Sequence, residues 1–180
     1  PNSAPVTYIK RHTLVPLDQS IRGNAPGTLR DGRAVAICKV LDFPATIRSD
    51  ARQGLRLMLV PAADFGSDGW SHARMALFRG VENGFAMVRS ARNGVMTISD
   101  DRGRVLARAE SGADRITHVI ADVPLGTGRT VYQRFGDFFA WGCVVGTGMM
   151  GVTYDELAQV QREAAPDGEL DAARLGAAQG

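Results

Sequence analysis

Cysteine and histidine are scarce in this 180-residue chain, which has two of the first and three of the second. Cys38 and Cys143 are too few for a disulfide framework, and His12, His72 and His118 are scattered rather than clustered, so neither a metal site nor a cofactor is expected. Charge of one sign is not in excess either. A formal net charge of +2 with 22% charged residues is too balanced for a nucleic-acid surface. Internal repeats are absent. The first residues show neither a charged n-region nor an apolar h-region, and the chain opens at Pro1 rather than methionine, so it reads as a piece of something longer.

What is present suffices for one sizeable core, with 44% hydrophobic residues in a chain of this length. Residues 6–9 have the composition of a short strand, and 16–32, rich in Gly, Pro, Asn and Asp, read as a loop. The unbroken apolar run 34–37 has the mark of a central strand covered on both faces. Pro44 suits the first turn of a helix that glycine stops at Gly54, and 55–61 is the next strand, so 34–60 makes a β-α-β unit with parallel neighbours. Ser67 or Asp68 caps a helix carrying Trp70, Ala73, Leu77 and Val81 on one side. A strand over 85–88, a hairpin over 95–109 turning at 100–103, and a strand over 116–123 follow.

The longest stretch without a charged side chain is 138–154, with aromatic residues at both ends and small ones inside. Its 17 residues sit at the lower limit of a spanning helix, and a C-terminal membrane helix is expected there. The polar tail 155–180 is expected to be helical or disordered.

Cys38 stands where the apolar run ends and a turn begins, as nucleophiles do in α/β hydrolytic folds. A free cysteine is more often a small buried hydrophobe, so the assignment needs a nearby activating group. Lys10, in Tyr8-Ile9-Lys10-Arg11-His12, is the candidate cation, although the run taken alone reads as a solvated edge. Phe65, in the loop after the strand beside Cys38, is a candidate acyl-chain contact because ligands gather at strand C-termini in such sheets. Glu82 and Arg89 read either as substrate contacts or as a buried ion pair. His12 and His72 read as structural.

Tyr-x-Lys-x-His followed by Leu14-Val15-Pro16, then Cys38-Lys39 with Asp42-Phe43-Pro44, then the run 60–66, resembles the nitrilase (carbon-nitrogen hydrolase) superfamily. The stretch 74–85, with Arg89 and Ala91-Arg92-Asn93-Gly94, is similar specifically to the apolipoprotein N-acyltransferases, and the likeness runs from Tyr8 to about Val145. The resemblance implies a four-layer α-β-β-α sandwich bearing a Glu-Lys-Cys triad, of which residues 1–137 form the C-terminal part. It implies Cys38 as nucleophile, Lys10 as the lysine beside the oxyanion and the thiolate, and the backbone N–H of Lys39 as a second oxyanion donor. The general-base glutamate of such enzymes lies upstream of the lysine, and no acidic residue precedes Lys10 here; the first, Asp18, takes the place of a second family glutamate one methylene longer.

The activity implied is transfer of a fatty acyl group from a phospholipid to the N-terminal amine of a diacylglyceryl-cysteine lipoprotein through a cysteine thioester. The implied location is the periplasmic side of a bacterial inner membrane. The alternatives are a soluble amidase of the same superfamily, with water as acceptor, and an inactive fragment or binding surface lacking the base.

Overall fold

The computed structural model describes residues 7–12, 21–112 and 117–164. Five strands form one mixed sheet in the order β1 (Arg33–Val35), β2 (Leu57–Ala63), β3 (Ala86–Arg92), β4 (Val95–Ser99), β5 (Val105–Glu110). β1, β2 and β3 are parallel, and β3, β4 and β5 are antiparallel. The two parallel connections are made by α1 (Pro44–Ala51) and α2 (Gly69–Asn83), which pack against each other. A short helix, α3 (Val131–Phe135), and a long one of 27 residues, α4 (Phe138–Ala164), follow in the chain.

The pairing register puts Ala34 beside Met58 and Met58 beside Met87, so one sheet face presents a continuous apolar row. That row is buried with Ile47 and Ala51 of α1 and Ala76 of α2. Leu57, Leu59 and Val88, on the opposite face, are only half-buried. One sheet layer and one helical layer are therefore seen among the described residues, where the family likeness implies four.

Local chemistry explains the boundaries. Pro44, with no N–H to leave unpaired, opens α1. Gly84 closes α2 in the left-handed region at φ 72°, its N–H returning to the Gly80 carbonyl. At the β4–β5 turn the buried Asp100 carboxylate accepts the N–H groups of Arg102 and Arg104 and the Arg104 guanidinium. Burial alone would raise its pKa, but these bonds hold it below the ordinary 3.8.

Several expectations need correction. Residues 117–123 form no strand, although their alternation suits one, because no sheet edge takes them as a partner among the described residues. Residues 7–9 are likewise outside any strand. α1 ends at Ala51, before Gly54, as the backbone tightens into a turn over 52–54.

The chain divides between Gly136 and Asp137 into two compact units. Residues 138–154 are helical as part of α4, which continues without a break to Ala164. No helix of the described residues is long and apolar enough to cross a membrane, so the membrane helix is not confirmed. The physical reason lies in composition rather than length: Gly142, Gly146, Gly148, Gly151, Thr147 and Thr153 dilute the apolar side chains of the run.

Candidate active site

β1 delivers the chain to the site. The Ala36 N–H extends the sheet by bonding the Leu59 carbonyl at 3.0 Å, and the backbone then reverses at Cys38. Cys38 has φ 43°, in the left-handed region that side chains other than glycine rarely occupy. It begins a 3-10 turn, Cys38–Asp42, whose Val40 and Leu41 are buried in the core. That anchoring holds the strained angle, and the strain lifts the sulfur to the surface at a strand end. The thiol is partly exposed and its Sγ lies 3.8 Å from the Ala63 carbonyl at the end of β2.

Cys38 opens into a cavity of about 110 Å³ whose walls include Lys10, Lys39, Phe65, His72 and Arg89. The sequence-predicted cysteine and lysine therefore share one cleft although 28 positions separate them. Phe65, 63% exposed, stands on the cavity wall. The Lys39 ammonium is paired with Asp42 at 2.5 Å, so this side chain is committed to its own turn. Glu82 is not a wall residue: it lies in the last turn of α2 and pairs with Arg79 at 2.6 Å. Asp18 lies outside the described residues.

Lys10 belongs to a segment that runs outside the sheet. Its carbonyl accepts the Gly23 N–H at 3.0 Å. Next to it, the Arg11 guanidinium forms a two-point ion pair with buried Asp50 of α1. Burial would lower the Arg11 pKa, yet the bonds to the Asp50 carboxylate raise it, so it remains cationic. The His12 ring stacks on Phe43, with centroids 3.6 Å apart and 13° between planes, and its Nε2 is 3.2 Å from the Thr46 hydroxyl. Burial, followed by the nearby charges of Arg11 and Arg22, pushes the His12 pKa below the ordinary 6.5.

One cluster escaped the sequence reading. Asp64, just past β2, has its side chain fully buried and accepts Arg89 Nη2 on Oδ1 at 2.5 Å. The same oxygen lies 3.2 Å from His72 Nδ1 on α2, and Arg89 Nη1 donates to the Val95 carbonyl at 2.8 Å. The buried partner of Arg89 is therefore Asp64, not Glu82. An arginine directly after the apolar run 85–88 was the available signal, but nothing local points to an acid 25 residues earlier. Gly94 completes the arrangement: a Cβ there would collide with Asp64 Oδ2.

Chemically, the site offers a thiol on a strained turn, an ammonium in the same cleft, and an exposed aromatic wall. Among the described residues no group of His, Cys, Asp and Glu is placed to hold a metal ion.

No family model matches the chain. Over 120 residues it is 34% identical to the apolipoprotein N-acyltransferase of Geobacter metallireducens, a match covering 64% of this chain and 23% of that protein. The chain is a homologue of the apolipoprotein N-acyltransferases. A second such enzyme, from Chlorobaculum tepidum, is 31% identical over 133 residues, covering 69% of this chain and 24% of that protein. A third, from Shewanella oneidensis, is 32% identical over 110 residues. The matches thus span about a quarter or less of these apolipoprotein N-acyltransferases.

Solved structures agree at the level of fold. An amidase of the nitrilase superfamily from Nesterenkonia superposes with a TM-score of 0.51 at 22% identity, over 57% of this chain and 45% of that one. The same amidase with the acetamide moiety of fluoroacetamide covalently added at its active-site cysteine gives 0.53 at 21% identity, over 58% of this chain and 46% of that one. The mixed sheet with its helical layer thus resembles the fold of this amidase.

Proposed function

We propose that this chain is the nucleophile-bearing part of an apolipoprotein N-acyltransferase, with Cys38 carrying the acyl group. The observation that supports the reading most is the meeting of Cys38 and Lys10 in one cavity of a chain homologous to such enzymes. In the first half-reaction the Cys38 thiolate attacks the ester carbonyl of a phospholipid. A C–S bond forms, the C–O bond breaks, and a lysophospholipid leaves after taking a proton. In the second, the N-terminal amine of a diacylglyceryl-cysteine lipoprotein attacks the thioester. A C–N bond forms, the C–S bond breaks, the amine proton is lost to the base, and the thiolate returns.

Lys10 is given two tasks: balancing the thiolate and stabilising the oxyanion of each tetrahedral intermediate. The backbone N–H of Lys39 is the second oxyanion donor, and Phe65 contacts the acyl chain. The base is a glutamate supplied from outside this chain. The phospholipid donor and lipidated acceptor put the complete enzyme at the bacterial inner membrane, with the catalytic part on the periplasmic side.

Peptide mass spectrometry of the complete enzyme, incubated with phospholipid and no acceptor, tests the reading. A hydroxylamine-labile acyl group on the Cys38 peptide is expected, and it should vanish when the lipoprotein is added. An enzyme that acylates its acceptor while Cys38 never carries the acyl group would end the proposal.

A further inference from the structure

The Lys10 segment lacks what fixes most active-site residues in an α/β fold, a place in the sheet. Residues 7–12 pair with no strand. In place of a register, the two residues after Lys10 are fastened to a single short helix. Arg11 bonds Asp50 through both terminal nitrogens, with side chains only 11% and 4% exposed. His12 lies flat on Phe43, the residue that caps α1, and reaches Thr46 in its first turn. α1 is also the helix into which the Cys38 turn runs directly, since Phe43 follows Asp42 and its N–H bonds the Val40 carbonyl. One eight-residue helix thus holds the nucleophile by its N-terminal end and the cationic segment by its side.

From this arrangement we infer that Arg11 and Asp50 are positioning residues for Lys10, acting through α1 to hold the ammonium beside the Cys38 sulfur. The inference rests on the role given above to Lys10. The requirement is one of distance: an ammonium loses its hold on a thiolate and an oxyanion within a few ångströms, and misplacement of a catalytic group by about 1 Å can cost on the order of 100-fold. A bidentate guanidinium–carboxylate pair fixes both separation and angle, which a single lysine bond to Asp50 does less well. Burial of the pair removes the solvent competition that makes exposed pairs weak.

The test uses the complete enzyme, with iodoacetamide alkylation followed on the Cys38 peptide by mass spectrometry. Four changes are compared: Lys10→Met, Asp50→Asn, Arg11→Lys, and the double change Arg11→Met with Asp50→Leu. The double change removes the pair without stranding a buried charge, so it keeps the fold available if Asp50→Asn does not fold. Asp50→Asn and the double change should slow Cys38 alkylation and lower kcat by about 10- to 100-fold while leaving KM unchanged. Arg11→Lys should recover part of the loss. In the Lys10→Met background, the Asp50 change should add nothing further.

Wild-type alkylation and kcat in the double variant would overturn the inference, whatever its melting temperature. A Lys10→Met enzyme that alkylates and turns over normally would instead remove the lysine's own role, and this inference with it. The two failures are read from different variants.

Discussion

Arg89 and Asp64 form an ion pair with both side chains out of solvent, Nη2 standing 2.5 Å from Oδ1 beside the Cys38 cavity. The register that sets Arg89 next to Val60 aims it at the C-terminal end of β2, where Asp64 begins the loop carrying Phe65. The pair therefore ties the middle of β3 to the loop that follows β2 at the cavity wall.

Removing one partner leaves the other charged and buried. Arg89→Met should destabilise the folded chain by about 3–5 kcal/mol, while Arg89→Met combined with Asp64→Leu should be much milder. Urea denaturation of the three proteins checks this. Equal losses in the single and double variants would mean that the pair acts through packing rather than charge.

Gly94 is expected to tolerate no side chain. The Cβ of Gly94→Ala would collide with Asp64 Oδ2, and because Asp64 is locked by Arg89 and His72, relief must come from the backbone. A loss of about 1–3 kcal/mol is expected, measurable as a lower urea midpoint. Gly54→Ala serves as the contrast, since its φ of 86° imposes backbone strain with no atom within 4 Å of the added carbon.

The two cysteines should behave oppositely in the complete enzyme. Cys38→Ala should abolish acyl transfer, and Cys143→Ala, which alters an exposed thiol on α4, should leave it nearly intact. Assay of lipoprotein acylation separates them, and comparable loss from both would move the nucleophile elsewhere.

His12 gives stability a pH dependence of defined sign. Its folded-state pKa lies below 6.5, so between 6.5 and that lower value the unfolded chain binds more protons than the folded one. Stability is therefore fully present above 6.5 and is lost as pH falls through the folded value. Melting temperature should decline from pH 7.5 to 5.5 and decline less in His12→Gln. Asp100 acts in a separate window, below 3.8, where its bonds to the turn are lost on protonation. An unchanged slope in His12→Gln would assign the decline to other groups.

Much of this was legible in the sequence where the signal is local. The apolar runs around Ala34 and Met58 separated by a proline-started helix give the parallel pair, and the 100–103 turn gives the hairpin. Cys38 and Lys10 were legible through family motifs rather than through periodicity. What was not legible depends on distance along the chain. The Asp64–Arg89 bond and the Arg11–Asp50 bond join residues 25 and 39 positions apart, and no local pattern encodes such a pairing. Residues 117–123 misled for a related reason, since alternation describes a face without supplying a neighbouring strand.

The backbone angle at Cys38 sets endurance against chemistry at a single position. A residue without a Cβ would rest there at ease, so Cys38→Gly should outlast Cys38→Ala on heating, by about 1 kcal/mol. Random variation screened only for heat tolerance would then drift toward glycine at the position where the proposed reaction needs its sulfur. Thermal hardening of such an enzyme has to be sought elsewhere in the chain, with this turn left untouched.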